Sequence, residues 1–368
     1  MTKHLMITGT RGIPAAHGGF ETFAERLSLH LVQKGWRVSV FCQADNSQCV
    51  GFDKWHGVNR FLIPVSVRGA LGTVVFDWKS TIIASCNADL VLTLGYNTAV
   101  FSIIYNFKKL PNVINMDGIE WKRRKWSWYK KIWLYFNEQI GGLISSLMVA
   151  DHPEIKKHLS RGILANKPIV VIPYGADEIV YAPLDHLKSF SIDSNKYSLL
   201  VARPEPENQI LEVVRAFSFK RRRSKLVILG NYTPADNVYH RSVLGAASDE
   251  VIFLGAIYDA KTLASLRYHT TLYIHGHTVG GTNPALVEAL GASSPILAHD
   301  NIFNRWVAGD GAAYFIDERE CCEKLDLLLS SPDLLELMRI ASRKRFQADF
   351  RWEIVLAKYE QLLESLST

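Results

Sequence analysis

Short apolar runs alternate with longer helix-spaced stretches along the whole chain, and several of the runs stop at a glycine. Leu5 to Thr8 is followed by Gly9-Thr10-Arg11-Gly12-Ile13-Pro14 and then Gly18-Gly19. Apolar residues next recur at helical spacing (Phe23, Leu27, Leu31) before Arg37 to Cys42 resumes a strand pattern. Strand, loop, helix, strand is the opening of an open parallel sheet. Further strands are expected at Leu90 to Leu94, Val113 to Asn115, Leu147 to Val149 and Ile169 to Ile172. The second half repeats the theme, with strands at Tyr197 to Val201, Leu226 to Leu229, Val251 to Phe253, Leu272 to His275 and Pro295 to Ala298, and helices at Ile210 to Phe219 and Asn283 to Gly291. The predicted class is therefore α/β: two Rossmann-like domains, residues 1–178 and 179–350, whose parallel sheets face a central cleft, with a helix over 351–368 packing back on the first. The mixture of Gly, Pro, Asp and Ser between Gly175 and Lys196 reads as the linker.

Composition narrows the class further. The chain has 368 residues, enough for two domains with cores of their own. Hydrophobic content is 48% and charged content 21%, which excludes a disordered or fibrous chain. The net charge of +6 permits phosphate, anionic lipid or nucleic acid as partner and selects none. The five cysteines, Cys42, Cys49, Cys86, Cys321 and Cys322, form no CxxC pair, so a reducing, cytoplasmic setting is expected rather than a disulfide framework or a cysteine zinc site. The start runs straight into a strand with no signal-peptide pattern, and no uncharged apolar run approaches the roughly 18 residues of a membrane span.

Three segments carry candidate chemistry. The first glycine loop sits between a strand and a helix, where backbone N–H groups can meet an anion, or where glycine only lets the helix pack on the sheet. It matches neither GxGxxG nor the phosphate-loop pattern. In the second half, Val279-Gly280-Gly281-Thr282-Asn283-Pro284 leads into a helix. Asn283 suits the N-cap and Pro284 the first helical position, so the glycines would present N–H groups at a helix start. Glu288, just over a turn inside, can accept a hydrogen bond from a ribose hydroxyl or simply favour the positive helix end. His275 and His277 have no companion ligands nearby in sequence, so a structural or substrate-contacting role is preferred to a metal site. Arg203, just beyond a strand, can clamp a diphosphate or pair with Glu205 or Glu207.

The stretch from Trp121 to Phe136 interleaves Lys122, Arg123, Arg124, Lys125, Lys130 and Lys131 with tryptophan and tyrosine. That mixture suits an anionic membrane interface. The competing reading is a helix whose aromatics pack inward while its cations are solvated. Nucleic acid is not expected as a partner, because no nucleic-acid fold signature accompanies the stretch. Lys220-Arg221-Arg222-Arg223-Ser224-Lys225 is a second basic run and reads as a solvated helix end.

Taken together, these strings resemble the retaining GT-B glycosyltransferases of family 4, and within it the rhamnosyltransferases of bacterial surface polysaccharides. The resemblance is carried by Gly9 to Pro14 with Gly18-Gly19-Phe20-Glu21-Thr22-Phe23, by Leu94-Gly95-Tyr96-Asn97-Thr98, and by Asn115-Met116-Asp117-Gly118-Ile119-Glu120-Trp121. It continues through Ile172 to Asp177, Arg203 to Asn208, Val279 to Glu288, His299-Asp300-Asn301 and Phe303-Asn304-Arg305, in order along nearly the whole chain. It implies that Arg203 holds the donor diphosphate, Glu288 the ribose, and Gly18 and Gly19 the donor phosphates. Asp117 would face the reacting sugar and acceptor, with Tyr96, Asn97 and Glu120 on the acceptor side. Two positions depart from the pattern: Gly280 stands where the family has its first glutamate, and Asn208, still expected to bind the donor, where it has the diphosphate lysine. The N–H groups of Gly280, Gly281, Thr282 and Asn283 are expected to replace that glutamate, which fits a donor other than glucose, with dTDP-rhamnose first and UDP-sugars behind.

The expected reaction is sugar transfer to a hydroxyl of a glycan or lipid-linked acceptor, with no metal and no cofactor. The nucleotide-sugar is a substrate, and peripheral contact with an anionic membrane is expected alongside it. Asp117 could steady the acceptor hydroxyl in a retaining reaction or act as general base in an inverting one. A non-catalytic nucleotide-sugar-binding protein and a nucleotide-sugar epimerase are the competing classes.

Overall fold

The computed structural model describes residues 3–16, 18–44, 51–67, 69–123, 125–190 and 192–366. Of the residues singled out above, Cys49 and Arg124 lie outside them. The chain divides into two compact units, Met1–Tyr174 with Trp352–Thr368, and Gly175–Arg351.

In chain order, β1 (His4–Thr8), α1 (Gly19–Gln33), β2 (Arg37–Ala44), β3 (Gly51–Trp55), β4 (Val58–Pro64), α2 (Gly69–Asn87) and β5 (Leu90–Leu94) open the first unit. α3 (Ile103–Phe107), β6 (Asn112–Met116), α4 (Trp128–Ile144), β7 (Leu147–Ala150), α5 (Pro153–Leu159) and β8 (Ile169–Val171) continue it. The second unit holds α6 (Asp185–Lys188), β9 (Tyr197–Val201), α7 (Ile210–Ser218), β10 (Lys225–Leu229), α8 (Val238–Gly245), β11 (Val251–Gly255), α9 (Ala260–Tyr268) and β12 (Leu272–His275). It ends with α10 (Pro284–Gly291), β13 (Ile296–His299), α11 (Ile302–Ala308), β14 (Ala313–Phe315), α12 (Glu318–Leu329) and α13 (Pro332–Asp349). The chain then returns to the first unit as α14 (Trp352–Ser365).

Among the described residues the first sheet runs β3-β4-β2-β1-β5-β6-β7-β8 and the second β11-β10-β9-β12-β13-β14. All pairs are parallel except β3 with β4, a hairpin closed by His56 and Gly57 at φ 46° and 88°. Strand period two divides each sheet into two apolar faces. In the first unit Leu5, Val38, Val40 and Leu92 pack with Phe23 and Leu27 of α1 and with Trp352, Val355 and Tyr359 of α14. Met6, Phe41 and Val91 face the other way, onto Phe76 and Ala84 of α2. In the second unit Leu199, Val227 and Tyr273 meet α10 and α13, and Leu200, Ile228 and Ile274 meet α7 and α12.

The segment read as a linker is part of the second unit's body. Ala176, Leu187 and Ile192 lie in its core, and Ile179 N–H bonds to Gly291 C=O. Its turn-forming residues bend a packed strap rather than a free connection.

Each sheet has one place where the strand order reverses: between β1 and β5 in the first, and between β9 and β12 in the second. At such a point adjacent crossovers go to opposite faces, leaving a crevice at the carboxyl ends of the two strands, the usual ligand position in open α/β sheets. Most of the candidate residues lie at these two points, and Asp117 and Glu120 follow the next strand, β6.

Candidate functional site

At the second unit's reversal the loops after β9 and β12 are stitched together. Thr278 donates from both its N–H and its Oγ1 to Glu207 C=O, each at 2.9 Å. Gly276 lies so close to Asn208 that a Cβ would come within 2.3 Å of the Asn208 carbonyl oxygen, so glycine is required there. Asn208 is buried, and its Nδ2 donates to Arg203 C=O at 2.7 Å. It therefore braces the loop that carries Arg203; as a direct donor ligand, as the sequence reading has it, it has little surface to offer. His240 pins the same loop from behind. Its Nδ1 accepts Thr233 N–H at 2.9 Å, which leaves Nε2–H to donate to Pro204 C=O at 3.0 Å. The Arg203 side chain stands exposed on this scaffold, with no carboxylate partner among the described residues; neither Glu205 nor Glu207 pairs with it.

The start of α10 adjoins these loops in sequence. Asn283 caps it, its Oδ1 accepting Ala285 N–H at 3.1 Å, with Pro284 in the first helical turn. Gly280 is exposed at φ +138°, a conformation closed to the glutamate that the resembling family places there. Thr282 is buried, Gly281 half-buried. Glu288 is held by a residue that sequence reasoning missed. Arg267 of α9, its side chain 6% exposed, pairs through Nη2 with Glu288 Oε2. The carboxylate itself is 35% exposed, and its Oε1 has no partner among the described residues. A buried arginine in a helix with otherwise ordinary spacing gives no signal in sequence.

His275 lies beneath the site, 1% exposed, its ring stacked on His277 at 4.2 Å between centroids. Burial, with His277 and His299 nearby, holds it well below the usual histidine pKa, so it is neutral. Asn304 ties the two loops above it, donating to His277 C=O and His299 C=O at 2.9 and 2.8 Å. Among the described residues no three His, Cys, Asp or Glu side chains are grouped as metal ligands would be.

The first unit's reversal is built differently. A Cβ on Gly9 would lie 2.1 Å from Leu94 C=O, and one on Gly12 would lie 2.7 Å from the Cys42 side chain. These glycines serve close packing. Three of the loop's N–H groups are answered from within: Arg11 N–H by Glu21 Oε1 at 3.1 Å, Gly12 N–H by Thr10 Oγ1 at 3.4 Å, Ala15 N–H by Glu25 Oε2 at 2.6 Å. Gly18 is the extended N-cap of α1, with Gly19 the first helical residue. Glu21 occupies that helix's first turn and is buried; its Oε2 would lie 3.0 Å from a Cβ on Gly18. A carboxylate of the protein's own thus stands in the first turn of this helix, beside the Gly18 and Gly19 expected to meet the donor phosphates.

After β5 and β6 the candidates separate into one exposed acid and its supports. Asp117 is exposed at the end of β6. Tyr96 is buried. Its hydroxyl donates to Gly118 C=O at 3.3 Å and accepts Glu120 N–H at 2.8 Å, bridging the loop that holds Asp117. Burial raises the tyrosine's pKa far beyond the normal range, keeping it a neutral brace. Glu120 is spent on Arg123 at 2.7 Å and on Trp126 Nε1 at 3.2 Å, with Lys125 at 3.9 Å. Tyr96 and Glu120, expected on the acceptor side, therefore shape the loop. Asn97 has an exposed side chain, while its carbonyl accepts Trp133 Nε1 at 2.9 Å.

A family model described as a domain of unknown function (DUF1972) matches residues 2–177. No curated protein matches the chain by sequence. Solved structures match it over its length. Sucrose-phosphate synthase (tll1590) from Thermosynechococcus elongatus superposes with a TM-score of 0.82 at 15% identity, over 99% of each chain. Anabaena HepE (Alr3699), in complex with UDP and glucose, gives 0.78 at 16% identity over 99% of this chain and 100% of that one. A glycosyltransferase from Rickettsia africae gives 0.72 at 14% identity, over 99% and 98%. The fold is thus that of the GT-B glycosyltransferases, two parallel-sheet α/β units in one chain.

Proposed function

We propose that the chain is a glycosyltransferase that moves a sugar from a nucleoside diphosphate donor to a hydroxyl of a glycan or lipid-linked acceptor. The observation that carries this reading is the Arg203 side chain, exposed and without a carboxylate partner among the described residues, in a loop bonded to the one that leads into the glycine-bearing start of α10, with an oxygen of Glu288 left open one turn into that helix. A guanidinium and helix N–H groups meet a diphosphate; a carboxylate oxygen meets a ribose hydroxyl. The UDP and glucose bound by HepE belong to the same chemical class. In this reading the C1–O bond of the donor breaks, and the diphosphate keeps the electron pair under the positive potential of Arg203 and α10. The acceptor oxygen bonds to C1, and its proton passes to a donor phosphate oxygen in a retaining reaction. Asp117 steadies the acceptor hydroxyl. The departures at Gly280 and Asn208 fit a donor other than glucose, and the resemblance to the rhamnosyltransferases puts dTDP-rhamnose first, with surface polysaccharide synthesis as setting.

Incubation of the purified chain with a panel of nucleotide sugars, with and without a lipid-linked acceptor, tests this. Acceptor-dependent release of nucleoside diphosphate is expected, most with dTDP-rhamnose, and it should persist in EDTA. Interconversion of donor sugars without an acceptor would make the chain an epimerase. Tight donor binding with no turnover on any acceptor would make it a binding protein.

A further inference from the structure

On one face of the first unit the burial of side chains runs backwards. The inward residues of α4 are Leu134, Asn137, Glu138, Gly141 and Gly142. Its outward residues include Trp128, Tyr129, Ile132, Tyr135 and Phe136, with Trp128 74% and Ile132 60% exposed. An ordinary surface helix has the opposite arrangement. The inversion has a cause: the inner face must answer polar groups. Asn137 Oδ1 accepts Val100 N–H at 3.0 Å, and Glu138 accepts Trp121 Nε1 and bonds the His158 ring, each at 3.0 Å. On the aromatic side Tyr135 meets Trp121 edge-on at 5.3 Å, while Trp128, Tyr129 and Ile132 stay more than half exposed.

Helix α2 adds a second stripe. Leu71, Val75, Trp78 and Ile82 are exposed at spacings of one helical turn, so they form one line. Ile103 and Phe107 of α3 extend it. The helices are joined through the turn after β5. Trp78 meets Phe101 edge-on at 5.2 Å, Thr98 bonds Asp77 at 2.7 Å, and Trp133 Nε1 reaches Asn97 C=O. Cations border the apolar lines: Lys79, Lys108, Lys109, Lys122 and Lys130 are exposed, while Lys125 lies 3.9 Å from Glu120. The carboxylates that α2, α3 and α4 carry are Asp77, hydrogen-bonded by Thr98, and Glu138, fully buried. The exposed surface of these helices is therefore aromatic, aliphatic and positive.

We propose that this face docks the chain onto an anionic lipid bilayer, with its rings among the headgroups and its lysines on lipid phosphate. The helices need not span anything; none is long and apolar enough to cross a membrane among the described residues. The inference rests on the proposed function only for its purpose, bringing the acceptor-side unit to a lipid-linked substrate. Its test uses neither donor nor acceptor, so failure here leaves the transfer reading standing, and failure of transfer leaves this one standing.

The full chain should co-sediment at low salt with phosphatidylcholine vesicles containing roughly a third phosphatidylglycerol, and be released as salt rises. Pure phosphatidylcholine should hold much less. Trp128→Ser with Ile132→Ser and Phe136→Ser should lower vesicle partitioning by about tenfold or more, with an unchanged melting temperature because none of these side chains is buried. Leu71→Ser with Trp78→Ser should lower it several-fold, an effect that docking through 121–136 alone does not produce. Absence of binding by the folded chain at low salt overturns the proposal. So does wild-type binding by the α2 variant, or a dimer that the α4 variant dissolves without any vesicle binding, which would assign the face to a second copy.

Discussion

The two strand-order reversals have the same topology and opposite chemistry. At β1–β5 Gly9 and Gly12 pack against Leu94 and Cys42, and three loop N–H groups are answered by Glu21, Thr10 and Glu25. At β9–β12 the supporting groups, Asn208 and Thr278, spend their hydrogen bonds on scaffolding, while Arg203 stays open. A glycine-rich loop after a strand is therefore not in itself an anion site. What matters is whether the protein has already supplied an anion of its own.

Three substitutions test that contrast. Arg203→Ala should have the largest effect. Loss of a charge-assisted clamp on a leaving diphosphate costs about 2 to 4 kcal/mol, or roughly 30- to 1,000-fold in turnover, with the melting temperature unchanged because the side chain is exposed. Near-normal turnover would erase the distinction between the two reversals. Glu288→Ala should come next, weakening the bare nucleoside diphosphate by roughly 10- to 100-fold in calorimetric titration. It should also cost roughly 1 to 3 kcal/mol of stability by leaving Arg267 unpaired, a figure held down by the part-exposed carboxylate. Lower stability with unchanged nucleotide affinity would make Glu288 a partner of Arg267 and nothing more. Glu21→Gln should have the smallest effect, changing donor affinity by no more than about threefold, since the diphosphate is assigned to the second unit. Tighter donor binding by tenfold would move the phosphate to the start of α1 and restore the role first expected of Gly18 and Gly19.

Much of the strand pattern was legible. Runs such as Leu90 to Leu94 and Tyr197 to Val201 are buried on both faces, so they read as continuous apolar segments. The β3–β4 hairpin was not, because β3 is an edge strand with half-exposed residues and its turn uses His56-Gly57 rather than a stronger turn pair. Gly175 to Lys196 has a linker's composition but packs by way of a few apolar residues, which composition averages away. Around the candidate site, sequence foresaw the Asn283 cap, and it singled out Arg203 and Asp117, whose side chains are exposed. It could not separate them from their braces, since Tyr96, Glu120 and Asn208 are the same kinds of residue with their polar atoms turned inward. The side to which α4 turns its aromatics was equally hidden, being set by groups far off in sequence such as Val100 and His158.

The return of α14 to the first unit bears on how the molecule is made. Residues 175–351 form the second unit as one uninterrupted stretch, whereas the first unit's core is shared between residues from both of its segments. At about 5 to 20 residues per second, a ribosome takes roughly 10 to 35 seconds to pass from one segment to the other. Throughout that interval Leu5, Val38 and Leu92 belong to a sheet face still missing Trp352, Val355 and Tyr359. The half of the protein translated first is thus the half that must wait, sheltered or sticky, until the half translated later already has its whole sequence.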